Sequence, residues 1–174
     1  MSPSHHTVPT GTEATPAAAT MAQVALAAAS PAARDLVDVS GRANAALMRG
    51  DLETYRGLIP HSDDFTLMSP FGGEPTHAVQ LTEERMQALG RFFRNGVRYR
   101  QEVVQTYSSA DMIALALIER KNVEVGGLPA QDWALRVTLV FRRDGGRWLL
   151  VHRHADPLVG GITHAEAAAL ARTG

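Results

Sequence analysis

Three ionisable side chains alternate near the end of the chain, at His152, His154 and Asp156. In an extended strand alternate residues point to the same face, so these three share a side with Trp148 and Leu150. An apolar floor that leads to polar groups is typical of a half-enclosed ligand pocket. We therefore expect the last strand of a sheet to line a pocket with this face.

The same three side chains could carry out acid–base catalysis. Histidine titrates near neutral pH, and a carboxylate within reach fixes its tautomer and raises its basicity. In that mechanism a histidine removes a proton from the carbon next to a carbonyl, and Asp156 orients that histidine. Arg136 or a tyrosine stabilises the enolate oxygen that forms. The alternative is that these groups only form hydrogen bonds to neighbouring strands, which is the more frequent role of titratable groups.

The His-x-His spacing would also suit a metal ion, because both imidazoles face the same way and imidazole binds zinc, iron or nickel. Asp156 or Glu119 would then supply a third ligand. Nothing in the spacing requires a metal, so we expect no metal and no other cofactor.

A second group of candidate residues lies among apolar neighbours on the preceding strands. Arg136 and Glu119 could each bind a ligand carboxylate or polarise a carbonyl, although pairing with each other is favoured, since half-buried charges need partners. Two tyrosines on the first long strand are predicted to share one face and could donate to a developing oxyanion. The expected ligand-binding residues are Arg136, Glu119, Tyr99, Tyr107 and Trp148.

The predicted elements place helices early and long strands late. Ser30 and Pro31 begin a long helix, Asp51 caps a short one, and four long strands form two hairpins. The predicted helices cover 31–49, 52–59, 83–94 and 164–172, and the predicted strands cover 65–71, 97–107, 112–125, 132–143 and 147–156. This order predicts an α+β fold in which a cone-shaped, curved antiparallel sheet wraps around the N-terminal helices and encloses a cavity.

The chain divides into three predicted segments. Residues 1–29 are rich in Ser, Thr, Pro and Ala and nearly free of charge, so they cannot offset the entropy of ordering. We expect a disordered tail over 1–29, a pocket domain over 30–160 and a short C-terminal helix within 161–174.

Composition excludes several classes of partner. The 174 residues contain 17 basic and 18 acidic side chains, for a net charge of -1, and no cysteine. Without a basic block the chain is not expected to bind nucleic acid. The absence of cysteine fits a cytoplasmic protein. No segment approaches the roughly 20 apolar residues that cross a bilayer, so no membrane association is expected.

The element order and the closing strand resemble a known superfamily. The run Arg147–His154, in which a tryptophan precedes two histidines separated by one residue, follows a strand that ends in an aromatic and two basic residues. Over residues 33–160 the chain resembles the nuclear transport factor 2-like superfamily, in its SnoaL-like and ketosteroid isomerase-like branch, and the association domain of calcium/calmodulin-dependent kinase II. The resemblance implies a cystatin-like α+β roll.

The resemblance also limits the functions that we expect. It implies a pocket for a small hydrophobic or carbonyl-bearing molecule. The protein would be either a cofactor-independent isomerase, cyclase or dehydratase, or a non-catalytic ligand-binding or homo-oligomerisation module. Fold alone does not decide between them.

Two strands are apolar on both faces, at Ala114–Ile118 and Val137–Phe141. One face of such a sheet packs on helices, and the other is usually covered by another copy. We therefore predict a homodimer that forms through the sheet.

Overall fold

The computed structural model describes residues 16–172. The helices are α1 (Pro16–Ala28), α2 (Pro31–Met48), α3 (Leu52–Leu58), α4 (Glu83–Phe92) and α5 (His164–Ala171). The strands are β1 (His61–Met68), β2 (Thr76–His77), β3 (Phe93–Ser108), β4 (Met112–Val125), β5 (Leu128–Asp144) and β6 (Arg147–Pro157). Within these residues no helix combines the length and the apolarity that crossing a bilayer requires.

The six strands form one curved, unclosed sheet in the order β2-β1-β6-β5-β4-β3. All neighbours are antiparallel except β1 and β6, which run parallel. The inner face carries the buried odd-numbered residues of β4, such as Leu115 and Leu117, and it packs against α2. The opposite, outer face carries the even-numbered residues of β4. The predicted α+β fold with a curved sheet around helices is confirmed.

Local sequence explains where the main helices begin. The hydroxyl of Ser30 accepts a hydrogen bond from the backbone N–H of Ala33 at 3.2 Å, and Pro31 occupies the first turn. The carboxylate of Asp51 caps α3 through the backbone N–H of Thr54 at 3.0 Å. These caps fix the first residues of α2 and α3, and both helices contribute side chains to the cavity described below.

The N-terminal segment differs from the disordered tail predicted for residues 1–29. Residues 16–28 form α1, which is rich in alanine, the strongest helix former, and which packs against β3. Ala29, directly after α1, is buried in the core. Residues 1–15 lie outside the described part of the chain.

A β-bulge in β6 changes which side chains face inward. Leu150 pairs with the inward-facing Phe141, but His152 pairs with Val140, so Val151 is an extra residue in the ladder. The alternation therefore shifts by one residue after Leu150, and Arg153 becomes the inward-facing side chain. The prediction that Trp148, Leu150, His152, His154 and Asp156 share one face is wrong, because the last three lie on the outer face.

A register shift in β3 has a similar effect on the two tyrosines. Val103 pairs with Leu117 on the inner face, whereas Gln105 pairs with Ala116 on the outer face. Tyr107 therefore points outward and is 63% exposed, while Tyr99 lies on the inner side. The prediction that these two tyrosines share a face is wrong.

The start of β3 also differs from the prediction of a helix to residue 94. The chain changes from helix to strand at Phe93, and Asn95 takes a φ of 54° inside the strand instead of closing the helix. Gly96 follows it, and a Cβ atom there would lie only 2.4 Å from the Cβ of Met48. Glycine thus permits the close approach of β3 to the end of α2.

Candidate functional site

A cavity of about 100 Å³ lies between the inner face of the sheet and helices α2, α3 and α4. Most of its wall is apolar, and its lining includes Leu47, Phe65, Met86, Val123, Trp133 and Leu135. A cavity of this size exceeds the space that one water molecule needs, so it can hold a compact organic group.

Three buried charges meet at this wall, and we call them the charge cluster: Glu119, Lys121 and Arg153. The two oxygens of Glu119 accept hydrogen bonds from Nη1 and Nη2 of Arg153 at 3.0 and 2.9 Å. Oε2 of Glu119 also accepts from Nζ of Lys121 at 3.0 Å. The side chain of Glu119 is 0% exposed and that of Lys121 is 4% exposed. Lys121 and Arg153 line the cavity, whereas Glu119 lies behind them.

The pKa values of the cluster follow from burial and mutual attraction. Burial alone would raise the pKa of the Glu119 carboxyl, but Arg153 and Lys121 outweigh it and hold that pKa below its usual range. Burial lowers the pKa of the Lys121 ammonium, and Glu119 opposes that shift. At neutral pH Glu119 is therefore ionised inside the core.

Tyr99 supports the cluster from β3. Its hydroxyl accepts a hydrogen bond from Nε2 of Gln101 at 3.1 Å, and its ring centroid lies 5.9 Å from Nζ of Lys121. Burial and the nearby Glu119 carboxylate raise the pKa of the Tyr99 hydroxyl well above its usual value. Tyr99 thus packs beside Lys121 as a neutral phenol.

A second polar pair lines the cavity from α3 and β1. The hydroxyl of Tyr55 and Nε2 of His61 lie 3.1 Å apart and share a hydrogen bond, and the His61 ring stacks on Phe65 at 4.1 Å between centroids. Burial, with a smaller contribution from Arg56, lowers the pKa of His61 to about 4. The imidazole is therefore neutral at pH 7.

The predicted catalytic residues lie on the outer face, away from the cavity. Nδ1 of His152 shares a hydrogen bond of 2.8 Å with the hydroxyl of Thr66, and His154 is exposed. Asp156 accepts two hydrogen bonds from Arg136, at 2.8 and 2.7 Å. Across residues 16–172, no group of three or more metal-binding side chains forms a metal site.

The predicted ligand-binding residues are divided between the two faces. Glu119 belongs to the charge cluster, and Tyr99 lies beside it. Arg136 pairs with Asp156 on the outer face and not with Glu119, so the favoured pairing of Arg136 with Glu119 is wrong. Tyr107 is on the outer face, and Trp148 packs against the core without lining the cavity.

Sequence reasoning missed the two cations of the cluster for different reasons. Lys121 continues the alternation that places Leu117 and Glu119 on the inner face, so the pattern of β4 could have identified it. Simple alternation predicts Arg153 on the opposite face, because the bulge at Val151 has no clear sequence signal. His61 was missed because the predicted strand began at residue 65.

Comparison with known proteins agrees with this architecture. The model of the SnoaL-like domain family matches residues 37–159. None of the curated proteins matches the chain. Solved structures share its fold, among them a nuclear transport factor 2-like protein from Rhodospirillum rubrum and the association domain of CaMKII from C. elegans.

The similarities to these structures extend over most of each chain. The R. rubrum protein is 20% identical, with a TM-score of 0.55, and the match covers 70% of this chain and 96% of that one. The C. elegans domain is 18% identical, with a TM-score of 0.53, and the match covers 72% and 95%. The TM-scores and the coverage show a common fold. The chain shares the fold of nuclear transport factor 2-like proteins and belongs to the SnoaL-like domain family.

Proposed function

We propose that this protein binds a compact small molecule with an apolar body and one carboxylate, which contacts Lys121 and Arg153. The observation that carries this proposal is the charge balance of the cavity wall. Two cations line the cavity, and a single carboxylate, Glu119, lies behind them. The cluster therefore holds one excess positive charge in an apolar environment.

A ligand carboxylate would remove this imbalance. A buried charge is costly unless it is paired and hydrogen-bonded. Glu119 occupies two N–H groups of Arg153 but only one of the three N–H groups of Lys121. Lys121 thus has the donors that a ligand carboxylate needs, and the surrounding apolar wall suits a hydrocarbon body.

The titratable groups around the cavity favour binding over proton transfer. A general acid or base works best when its pKa is close to the operating pH. Burial raises the pKa of Tyr55 and of Tyr99 and lowers that of His61 to about 4. These three groups are therefore neutral and poorly matched to proton transfer at pH 7.

An acid–base enzyme is the second candidate, because the Tyr55–His61 pair lines the same cavity as two cations that could stabilise an enolate oxygen. In this candidate His61 replaces the predicted histidines of β6 as the group that faces substrate. An isomerase, a cyclase or a dehydratase would each use such an arrangement.

Saturation-transfer difference NMR with butyrate, hexanoate, isocaproate and octanoate tests the binding proposal. We expect at least one of these acids to bind and its primary amide to bind much more weakly. Failure of the whole panel to bind, or equal binding of acids and amides, would contradict the proposal. Turnover of a bound acid would instead favour the enzyme.

We also propose that two copies associate through the outer face. Small or apolar side chains occupy its centre, including the half-buried Ala114, Ala116 and Ile118 of β4 and Val140 of β5. The C. elegans structure with the same fold is an association domain, which supports this proposal. A second copy would cover these side chains.

Replacing Ala116 with glutamate is expected to convert the dimer to a monomer. Ala116 lies between Gln105 and Thr138 near the middle of the outer face, where the proposed dimer would bury a carboxylate without a partner. Light scattering after size-exclusion chromatography measures the mass. Thr54→Glu, on the exposed side of α3, is the control and should remain dimeric. A monomeric wild-type protein, or an unchanged Ala116→Glu dimer, would refute this interface.

A further inference from the structure

A second cavity, which we call the outer cleft, opens at the surface next to the interior cavity. It has a volume of about 480 Å³ and lies between α3, the start of β1 and the segment that leads into α4. Apolar side chains make up most of its lining: Ile59, Pro60, Ala78, Val79, Leu81 and Met86. Val79 is 85% exposed, so the described residues leave much of this apolar surface uncovered.

A single layer of side chains separates the outer cleft from the interior cavity. His61, Leu81 and Met86 line both spaces and therefore lie between them, and we call these three residues the neck. Lys121 and Arg153 line the interior cavity on the far side of the neck. A passage through the neck would join these two cations to the apolar outer cleft.

The neck combines one fixed side chain with two adaptable ones. His61 shares a hydrogen bond of 3.1 Å with the hydroxyl of Tyr55 and stacks on Phe65 at 4.1 Å between ring centroids. Met86 is unbranched, and a methionine side chain with its three rotatable bonds adapts readily to its surroundings. Leu81 is half-buried and lies just before the N-cap of α4. Rotation of Met86 and Leu81 can therefore open the neck while His61 keeps its place.

The volumes favour a ligand that occupies both spaces. Sites for small organic ligands usually have about 300–1,000 Å³, whereas the interior cavity has only about 100 Å³. The outer cleft, with about 480 Å³, brings the combined space into that range. A ligand that extends through the neck also removes more apolar surface from water than one confined to the interior.

The polar residues of the outer cleft argue against a second acid group at the far end of the ligand. Arg56 is already paired with Glu83 at 2.8 Å, and Asp63 adds a negative charge to the lining. A second carboxylate would therefore meet no unpaired cation among these lining residues. A hydrocarbon end suits the apolar side chains that make up the rest of the cleft.

We infer that the ligand is an unbranched alkanoic acid whose carboxylate contacts Lys121 and Arg153 and whose hydrocarbon tail passes through the neck into the outer cleft. This inference rests on the proposed carboxylate-binding function and specifies its substrate class. The compact apolar body of the proposed ligand is then the part of the chain nearest to the carboxylate, and the outer cleft binds the remainder.

Isothermal titration calorimetry with butyrate, hexanoate, octanoate and decanoate tests the inference. Each methylene group that enters the outer cleft should increase the affinity by about two- to fourfold, because full burial of one such group corresponds to about fourfold. Decanoate should therefore bind at least about tenfold more tightly than hexanoate. A site that ended at the neck would exclude the longer chains, and the affinity would fall beyond the longest acid that fits inside.

Two exposed valines locate the tail. The terminal methyl group of bound decanoate should give nuclear Overhauser effects to the methyl groups of Val79 and none to Val159, which is 65% exposed after β6 and lines neither cavity. Val79→Asn places a polar amide in the outer cleft and should reduce the advantage of decanoate over hexanoate by about threefold or more. Val159→Asn is the matched control and should leave that advantage unchanged.

Lys121→Met distinguishes one ligand that spans both spaces from two separate sites. It should weaken hexanoate and decanoate binding alike, because both acids lose the same contact. The inference is overturned if decanoate binds no more tightly than hexanoate, if its methyl end is not near Val79, or if its affinity survives in Lys121→Met while that of hexanoate falls. In each of these cases hexanoate binding, and with it the proposed function, stands. If neither this series nor isocaproate binds to the wild-type protein, the proposed function fails and the inference fails with it.

Discussion

Replacing Glu119 with glutamine is expected to lower the free energy of unfolding by about 3–5 kcal/mol, the usual cost of breaking a buried ion pair from one side. The variant leaves Arg153 and Lys121 as two buried cations without a counter-charge. Glutamine has nearly the same shape as glutamate. The loss of stability therefore measures the missing charge and not a packing cavity. Urea denaturation followed by circular dichroism measures it.

Glu102→Gln is the matched control for this variant. Glu102 lies on β3 and forms an ion pair with Arg120 at 2.8 Å, with side chains 19% and 17% exposed. Because this pair is partly hydrated, we expect a loss of about 1 kcal/mol or less. Equal losses in the free energy of unfolding would show that the charge cluster contributes no more to stability than a partly hydrated ion pair.

The pH dependence of stability provides a second test of Glu119. Its pKa in the folded protein lies below the usual value, so its contribution is fully present above the unfolded-state pKa. That contribution is lost as the pH falls through the acidic range toward the folded-state pKa. Glu119→Gln should therefore lose less stability than the wild-type protein on acidification. A wild-type profile that is no steeper than that of the variant would contradict this assignment.

Replacing Lys121 with methionine should preserve stability and abolish carboxylate binding. The change removes a buried ammonium whose desolvation is costly, keeps an unbranched side chain of similar length, and leaves Glu119 bound twice by Arg153. We expect the free energy of unfolding to stay the same or to rise. Loss of a buried charged contact weakens binding by about 2–5 kcal/mol, so the affinity for a bound acid should fall by about 30-fold or more.

Arg49→Met is the control for general effects of removing a positive charge. Arg49 is exposed at the C-terminal end of α2 and takes no part in the cavity wall. Its replacement should leave acid binding unchanged. If Lys121→Met unfolds the protein or retains full acid affinity, the excess charge of the cluster is not the source of recognition.

The regular strands could be predicted because their burial alternates without interruption. Leu115, Leu117 and Glu119 on β4 share the inner face, as do Leu135 and Val137 on β5, in agreement with the sequence pattern. Apolar residues at every second position are sufficient to fix such a face. The fold and the position of Glu119 follow from this pattern.

The composition of the site could not be predicted in the same way. The extra residue at Val151 turns His152 to the outer face and Arg153 to the inner face. No residue type near this position requires a bulge, so the sequence does not predict it. Arg153 is accommodated in the core because Glu119 lies opposite it. This pairing between β4 and β6 is evident only once the register of the intervening strand is known.

The most direct test of the account compares isocaproate with isocaproamide, which have nearly the same shape but differ in charge. Isothermal titration calorimetry should be performed on the wild-type protein and on Lys121→Met. We predict that the wild-type protein binds the acid about 30-fold or more tightly than the amide, the value of one buried charged contact, and that Lys121→Met loses this preference. Equal affinities in the wild-type protein, or a preference that survives in Lys121→Met, would contradict the claim that the charge cluster recognises a ligand carboxylate.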